Sequence, residues 1–372
     1  VDKGDQQGAF VDALVMELGA MAGLVSEGTG LSTVFVGGGT PSLLRVDLWR
    51  RVLDVLDELF GVRALSRSGG LEFTVECNPE TVTPELMGVL AAGGVNRVSI
   101  GAQSFNTAHL KTLERWHDPV NVERAVKMAR DAGIARRSID LIFGVPGQTL
   151  TQWREDLGRA LAIADDPGAG LEHLSCYNLT YEPNTAMTKR LERGDFVASP
   201  EELEIEMFRV TREVLREAGF EAYEVSNFAR GEDARCRHNM AYWRQEQWLA
   251  AGPSASGHVA GWRWKNTPNI GEWMRSVREN GGVSAAVDVE PPDAKRALRE
   301  RLMTGLRLSE GLRVGVMLEH ARMLDLEDAL KAAAARVIGK DLMTDDAGVW
   351  RLTEAGVLVG DSVSAEIFAG LR

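Results

Sequence analysis

Residues Val34–Leu44 read VFVGGGTPSLL. Three apolar residues run straight into Gly37, Gly38 and Gly39, then Thr40-Pro41-Ser42, and an apolar run resumes. A phosphate loop of the G-x-x-x-x-G-K-[ST] type needs a lysine that is not here, and a dinucleotide turn needs a glycine where Ser42 stands. What remains is a strand, a bare stretch of backbone, and Thr40-Pro41 placed to open a helix, Thr40 as N-cap and Pro41 at the first position. Such a strand-to-helix joint is the repeating unit of an α/β fold.

The pattern continues outward from that joint. Thr33–Val36, Leu71–Glu76, Arg97–Gly101, Ser138–Phe143 and His173–Leu179 read as strands, with a last short one at Ala222–Val225. Between them Leu43–Phe60, Pro84–Ala92, Ala108–Leu113, Val120–Ala132, Trp153–Ala164 and Glu201–Ala218 read as helices. Phe10, Leu14, Leu18 and Met21 recur at helical spacing ahead of the first strand. Six strands joined by helices predict a parallel sheet, curled into a barrel or partial barrel.

After Glu224 the character changes. Five of the nine tryptophans (Trp243, Trp248, Trp262, Trp264 and Trp273) fall within residues 236–273, a local enrichment that marks a separate region. Pro291-Pro292 in Glu290–Asp293 reads as a linker. Ala294–Leu306 and Leu324–Ile338 follow as helices, and Val349–Leu352 with Thr353-Glu-Ala-Gly suggests a small winged-helix-like unit. A formal net charge of −12 makes that unit a packing domain rather than a nucleic-acid reader. No apolar run is long enough to span a bilayer, and no signal peptide is visible. Cys77, Cys176 and Cys236 lie far apart and form no close-spaced metal pattern, so they read as reduced thiols of a cytoplasmic protein.

Polar residues converge where the strands end. Glu76 closes one apolar strand and Gln103 the next, while Asp140 sits inside SIDLIF, where a carboxylate needs a partner or a shifted pKa. In parallel α/β folds, side chains at the carboxyl ends of strands meet at the binding site. Arg115 can clamp a carboxylate, the acids and Gln103 can accept from an ammonium group or ribose hydroxyls, and bare glycine amides allow close approach. A ligand with amino, carboxylate and ribose groups would satisfy all of them.

VFVGGGTPSLL, ECNPET, RVSIGAQSF, SIDLIFGVPGQT, LSCYNLTYEPNT and CRHNMAYW, in that order, resemble the HemN/HemW branch of the radical S-adenosylmethionine proteins. The resemblance runs from about Thr33 to the end of the chain. It implies a partial (β/α)6 barrel with a smaller C-terminal α+β domain. The expected division is residues 1–235 for the barrel, 236–290 for a connecting region with the H-N-x-x-Y-W motif, and 291–372 for the C-terminal domain. It further implies that Gly38, Gly39, Thr40, Glu76, Gln103, Arg115 and Asp140 line an S-adenosylmethionine site. The branch's [4Fe-4S] cluster sits on a C-x3-C-x2-C loop that would fall upstream of Val1, and the three cysteines present cannot replace it. Two functions of the branch compete: a heme chaperone, which binds heme and hands it to acceptors such as respiratory-chain hemoproteins, and an oxygen-independent coproporphyrinogen III dehydrogenase. A cluster-less interaction domain is a third. RHNMAYW, Arg237–Trp243, fits the chaperone's motif and makes His238 the heme-binding candidate, with His258 second.

Overall fold

A computed structural model describes residues 4–25, 30–183 and 185–371. By internal packing the chain forms two units. One comprises residues 30–222 and 226–235; the other comprises the opening helix, residues 223–225 and everything from Cys236 onward.

The first unit is built on a seven-stranded sheet. β1 (Thr33–Val36), β2 (Glu72–Cys77), β3 (Arg97–Gln103), β4 (Arg136–Phe143) and β5 (His173–Asn178) lie side by side and parallel. These strands alternate with period two. Phe73, Val75 and Cys77, then Val98, Ile100 and Ala102, then Ile139, Leu141 and Phe143 are buried on one face. Phe143 packs its ring 5.4 Å from that of Trp153 in the Leu150–Asp165 helix, so the apolar face is the one the helices cover. The opposite face carries Glu72, Thr74 and Glu76, then Arg97 and Ser99, then Ser138 and Asp140, then His173 and Ser175. A parallel sheet with both faces under helices reads as continuous apolar runs, so this alternation marks the inner face of a partial barrel built to hold something polar.

The sixth strand departs from expectation. Only Glu221–Ala222 (β6) is extended in the run read as Ala222–Val225, and Asn227–Ala229 (β7) inserts between it and β5. β7 is antiparallel to both neighbours. The reason is length: four residues between β6 and β7 close a tight turn, whereas a parallel return needs a crossover of about a dozen.

In the second unit, β8 (Ser256–Val259), β9 (Trp262–Asn266) and β10 (Ala286–Glu290) form an antiparallel sheet. Ala260 and Gly261 both take positive φ (50° and 79°) in the two-residue turn between β8 and β9, as a primed hairpin turn requires. β10 runs up to Glu290, so part of the stretch read as a linker is strand. The opening helix, read with the barrel in the sequence, packs instead on the Ile270–Glu279 helix, with Phe10 5.1 Å from Trp273. The winged-helix-like part pairs β11 (Leu312–Arg313), β12 (Met343–Asp346) and β13 (Val349–Leu352) over a core of Leu298, Leu302, Leu330, Val337, Trp350 and Ile367.

Arg97 and Glu72 form a buried ion pair on the inner face (3.0 Å), and the same guanidinium donates to the Ala234 and Arg235 carbonyls. Arg97→Ala would leave Glu72 buried without its counter-ion, at an expected cost of about 3–5 kcal/mol. Urea denaturation should show this as a clear fall in the unfolding midpoint, and an unchanged midpoint would contradict it.

Candidate functional site

The three glycines have different reasons to be glycine. A Cβ on Gly37 would lie 2.6 Å from the Phe35 ring and 2.8 Å from the Glu76 carboxyl, so this position makes room for Glu76. Gly38 and Gly39 face open space but hold φ of 81° and 110°, a region closed to most side chains. That twist turns the Gly38 amide onto Glu76, whose Oε2 accepts from it at 3.1 Å. Thr40 does not cap a helix as the sequence suggested; its side chain makes no cap bond and a single 3-10 turn, Pro41–Leu43, follows. The full helix starts only at Val46, because Leu44, with φ −65° and ψ 135°, breaks the turn. Ser42, the residue that spoils the dinucleotide pattern, instead accepts from the Asn78 amide (3.0 Å) and pairs with Thr81 (2.5 Å), tying the first loop to the second.

Asp140 is centred on the inner face. It pairs in register with Gly101 and Ser175 on the neighbouring strands. Ser99 Oγ sits 2.9 Å from both of its carboxylate oxygens, and Ser175 donates from the other side. Burial pushes Asp140 up to about 6, against the two serine hydrogen bonds, and the nearby Glu76 charge adds to the rise. Glu76 is itself raised by burial, only partly offset by the Gly38 amide. Neither acid has an ion-pair partner among the described residues. Next along the sheet, Ser138 Oγ and His173 Nδ1 are 2.6 Å apart, and burial with Arg97 nearby holds His173 well below its usual pKa, hence neutral.

Gln103 ends β3 with a left-handed backbone (φ 61°) at a register shift in the β3–β4 pairing. Its amide nitrogen folds back over Gly101, where a Cβ would meet it at 2.6 Å. Such strain persists only when its surroundings hold it. They do: His117 Nε2 donates to the Ala102 carbonyl (3.0 Å), and Asp156 accepts from Ser104 Oγ (2.6 Å) and the Phe105 amide (2.7 Å). Arg115, on the same loop, is exposed and makes no side-chain hydrogen bond or ion pair among the described residues. The structure therefore brings Gly38, Glu76, Gln103 and Asp140 to the carboxyl side of neighbouring strands. It adds Ser42, Ser99, Ser175 and Asp156, which the sequence reading missed. Ser99 and Ser175 share the parity of Asp140's face, but pairing them with it requires the strand register.

The cysteines stay apart. All three cysteines are buried and outside any disulfide, and burial raises Cys77 to about 12 and also raises Cys176. These thiols do not fit an iron–sulfur cluster, and no group of His, Cys, Asp and Glu among the described residues could hold a metal ion.

In the second unit, His238 lies on the Arg237–Trp243 helix, edge-on to Tyr242 with ring centres 4.9 Å apart. Tyr242 packs on Trp248 at 4.4 Å, and Trp248 on His258 at 4.8 Å. The two candidate histidines thus stand at the ends of one aromatic row.

The sequence matches the Radical SAM superfamily over residues 9–160 and the HemN C-terminal domain over residues 293–359. It is similar to the heme chaperone HemW of Lactococcus lactis, 30% identical over 355 residues that make up 95% of this chain and 88% of that protein. The heme chaperone HemW of Bacillus subtilis is 31% identical over 337 residues, 90% of this chain and 84% of its own. Among solved structures, coproporphyrinogen III oxidase (HemN) from Escherichia coli, a radical SAM enzyme, aligns with a TM-score of 0.82 at 20% identity. That alignment covers 99% of this chain and 84% of the other, and it speaks for the fold.

Two expectations follow from the geometry. Gly37→Ala should displace Glu76 and destabilise by about 1–3 kcal/mol, as overpacking does; a wild-type melting temperature would refute the close approach. For Asp140, the pKa near 6 in the fold against 3.8 as the ordinary value means the folded state holds the proton more tightly. Its contribution to stability therefore falls as pH rises through that window and levels off above it. Asp140→Asn should remove that slope and melt higher than wild type at pH 7.5. A variant with the slope intact would show the carboxyl to be unperturbed.

Proposed function

This chain belongs to the HemN/HemW branch of the radical S-adenosylmethionine proteins, and from that premise we propose that it is a heme chaperone that carries heme to acceptor proteins. The carrying observation is the likeness, over nine-tenths of the chain or more, to two bacterial proteins that bear that name. The row from His238 to His258 supports it, since imidazoles beside aromatic rings are apt partners for a porphyrin and its iron. The porphyrinogen dehydrogenase reading keeps only the shared fold at 20% identity. Among the described residues no helix is long and apolar enough to cross a membrane. We place the work in the cytoplasm, in keeping with three cysteines outside any disulfide. The acceptors would be hemoproteins, such as those of a respiratory chain.

The inner face of the barrel is assigned to S-adenosylmethionine. It fits on chemistry: two desolvated acids with no counter-ion among the described residues suit an amino group and ribose hydroxyls, and the exposed Arg115 suits a carboxylate. Gly38, Gly39 and Thr40 would lend backbone, Glu76 and Asp140 would accept, Gln103 would contact the ligand from the end of β3, and Arg115 would close the carboxylate. When bound, S-adenosylmethionine supplies one-electron radical chemistry. The chain's own part is to bind, orient and exclude water. The three cysteines of this chain do not fit a [4Fe-4S] cluster.

An anaerobic titration with heme, followed at the Soret band, tests the chaperone. Saturable binding near one equivalent, and loss of that heme to an added apo-hemoprotein faster than from buffer, is the expected result. No saturable binding would overturn it. In parallel, equilibrium dialysis should show S-adenosylmethionine held about tenfold or more weaker by Glu76→Ala or Asp140→Ala, on the scale of 1.4 kcal/mol per decade.

A further inference from the structure

The second unit holds a cavity of about 520 Å³, within the range of small-molecule sites, between the β8–β9 hairpin, the Ala294–Gly305 helix and the end of the Val314–Arg322 helix. Independently of the heme reading, we propose that it is a binding site for a small organic acid with an apolar body, whose carboxylate is taken by Arg301.

The charges of the lining are unevenly spent. Arg263 donates to Glu300 at 2.5 Å and also to the Gln245 side chain. Arg296 lies 3.8 Å from the same Glu300 and 3.3 Å from Glu290, and it donates to the Pro291 carbonyl at 2.6 Å. Asp293 is used as the helix cap, its Oδ1 accepting from the Arg296 amide at 2.8 Å. Arg301, by contrast, is half-buried in the same lining and has no hydrogen bond or ion pair among the described residues. A guanidinium withdrawn from water without a counter-ion costs free energy that an entering carboxylate would recover. Three guanidiniums face two acids here, in a chain whose formal net charge is −12. An anion that the rest of the surface repels is therefore favoured at this place.

The apolar part of the guest follows from helix geometry. Ala294, Ala297, Leu298 and Arg301 recur at helical spacing, so one stripe of the helix lines the cavity. Two turns, about 10 Å, separate Ala294 from Arg301. The small side chains along that stripe leave room, and Met323 and Leu324 add apolar surface. The end near Ala294 is closed by the hairpin turn, where a Cβ on Gly261 would lie 3.1 Å from Pro292 Cβ. A ligand with its carboxylate on Arg301 and a short hydrocarbon body laid toward Pro292 matches this order of groups.

The test is calorimetric titration of the whole chain with octanoate, beside octanol as its uncharged analogue. Wild type should bind about one equivalent of octanoate saturably and hold octanol about tenfold or more weaker. Arg301→Gln should weaken octanoate about tenfold and leave octanol as it was, and Arg301→Lys should recover part of the loss because it keeps the charge. Ala297→Trp should block both by filling the cavity. The proposal is overturned if wild type shows no saturable octanoate binding, or if Arg301→Gln and Ala297→Trp bind octanoate as wild type does. Displacement of octanoate by one equivalent of heme would also overturn it, since the cavity would then belong to the porphyrin. Each of these results leaves the heme titration proposed above to stand or fall by itself.

Discussion

Two buried carboxylates, with no ion-pair partner among the described residues, set the terms for the barrel. Glu76 and Asp140 lie on the inner face of a parallel sheet, each raised by burial, and the Glu76 charge adds to the rise of Asp140. Among the described residues, hydroxyls and an amide offset this: Ser99 and Ser175 on Asp140, and Gly38 on Glu76. Around them the chain gives up apolar packing on that whole face. The glycine at position 37 yields its side chain to Glu76, and Gln103 takes a strained backbone at the edge. Sites that hold acids against their solvation preference are where a positively charged or hydroxyl-rich ligand gains most.

Much of this was legible in the residues. The five parallel strands follow from apolar runs of the right length, and Glu76 and Asp140 stand out because one closes such a run and the other interrupts one. The parts that stayed hidden are those that depend on register or on space. Nothing local in RVSIGAQ or HLSCYN says that Ser99 and Ser175 flank the same carboxylate. Gly37 looks like its two neighbours in sequence, yet it is fixed by a side chain 39 positions away while they are fixed by φ. Thr40-Pro41 carries a helix-start signature, but the chain straightens at Leu44 and the cap goes unused. The opening helix shows its apolar stripe plainly and says nothing of its partner. That partner is the Ile270–Glu279 helix, and the link is sealed by buried Glu17, which accepts from Gly252, Asn266 and Trp273.

The second unit follows another logic. Its tryptophans are spread between roles: Trp273 and Trp350 fill cores, while Trp248 joins Tyr242 and two histidines in a row that reaches the surface. The H-N-x-x-Y-W pattern is thereby given a physical meaning. Positions one and five of a helical stretch place His238 and Tyr242 on one side, one turn apart. The hairpin at Ala260-Gly261 then fixes the register that brings His258 to the end of that row. On the proposed function, the S-adenosylmethionine site falls to one unit and heme to the other.

The central claim is that the barrel's inner face holds acids in want of a cationic, hydroxyl-bearing ligand. The most direct measurement is the protonation of Asp140 itself, by carboxyl-carbon NMR over pH 3.5 to 8, with Asp140→Asn to assign the signal. The account predicts a midpoint near 6 in the free protein and a fall when S-adenosylmethionine is added. A midpoint near 4, the ordinary range for an aspartate, and no response to the ligand would contradict it.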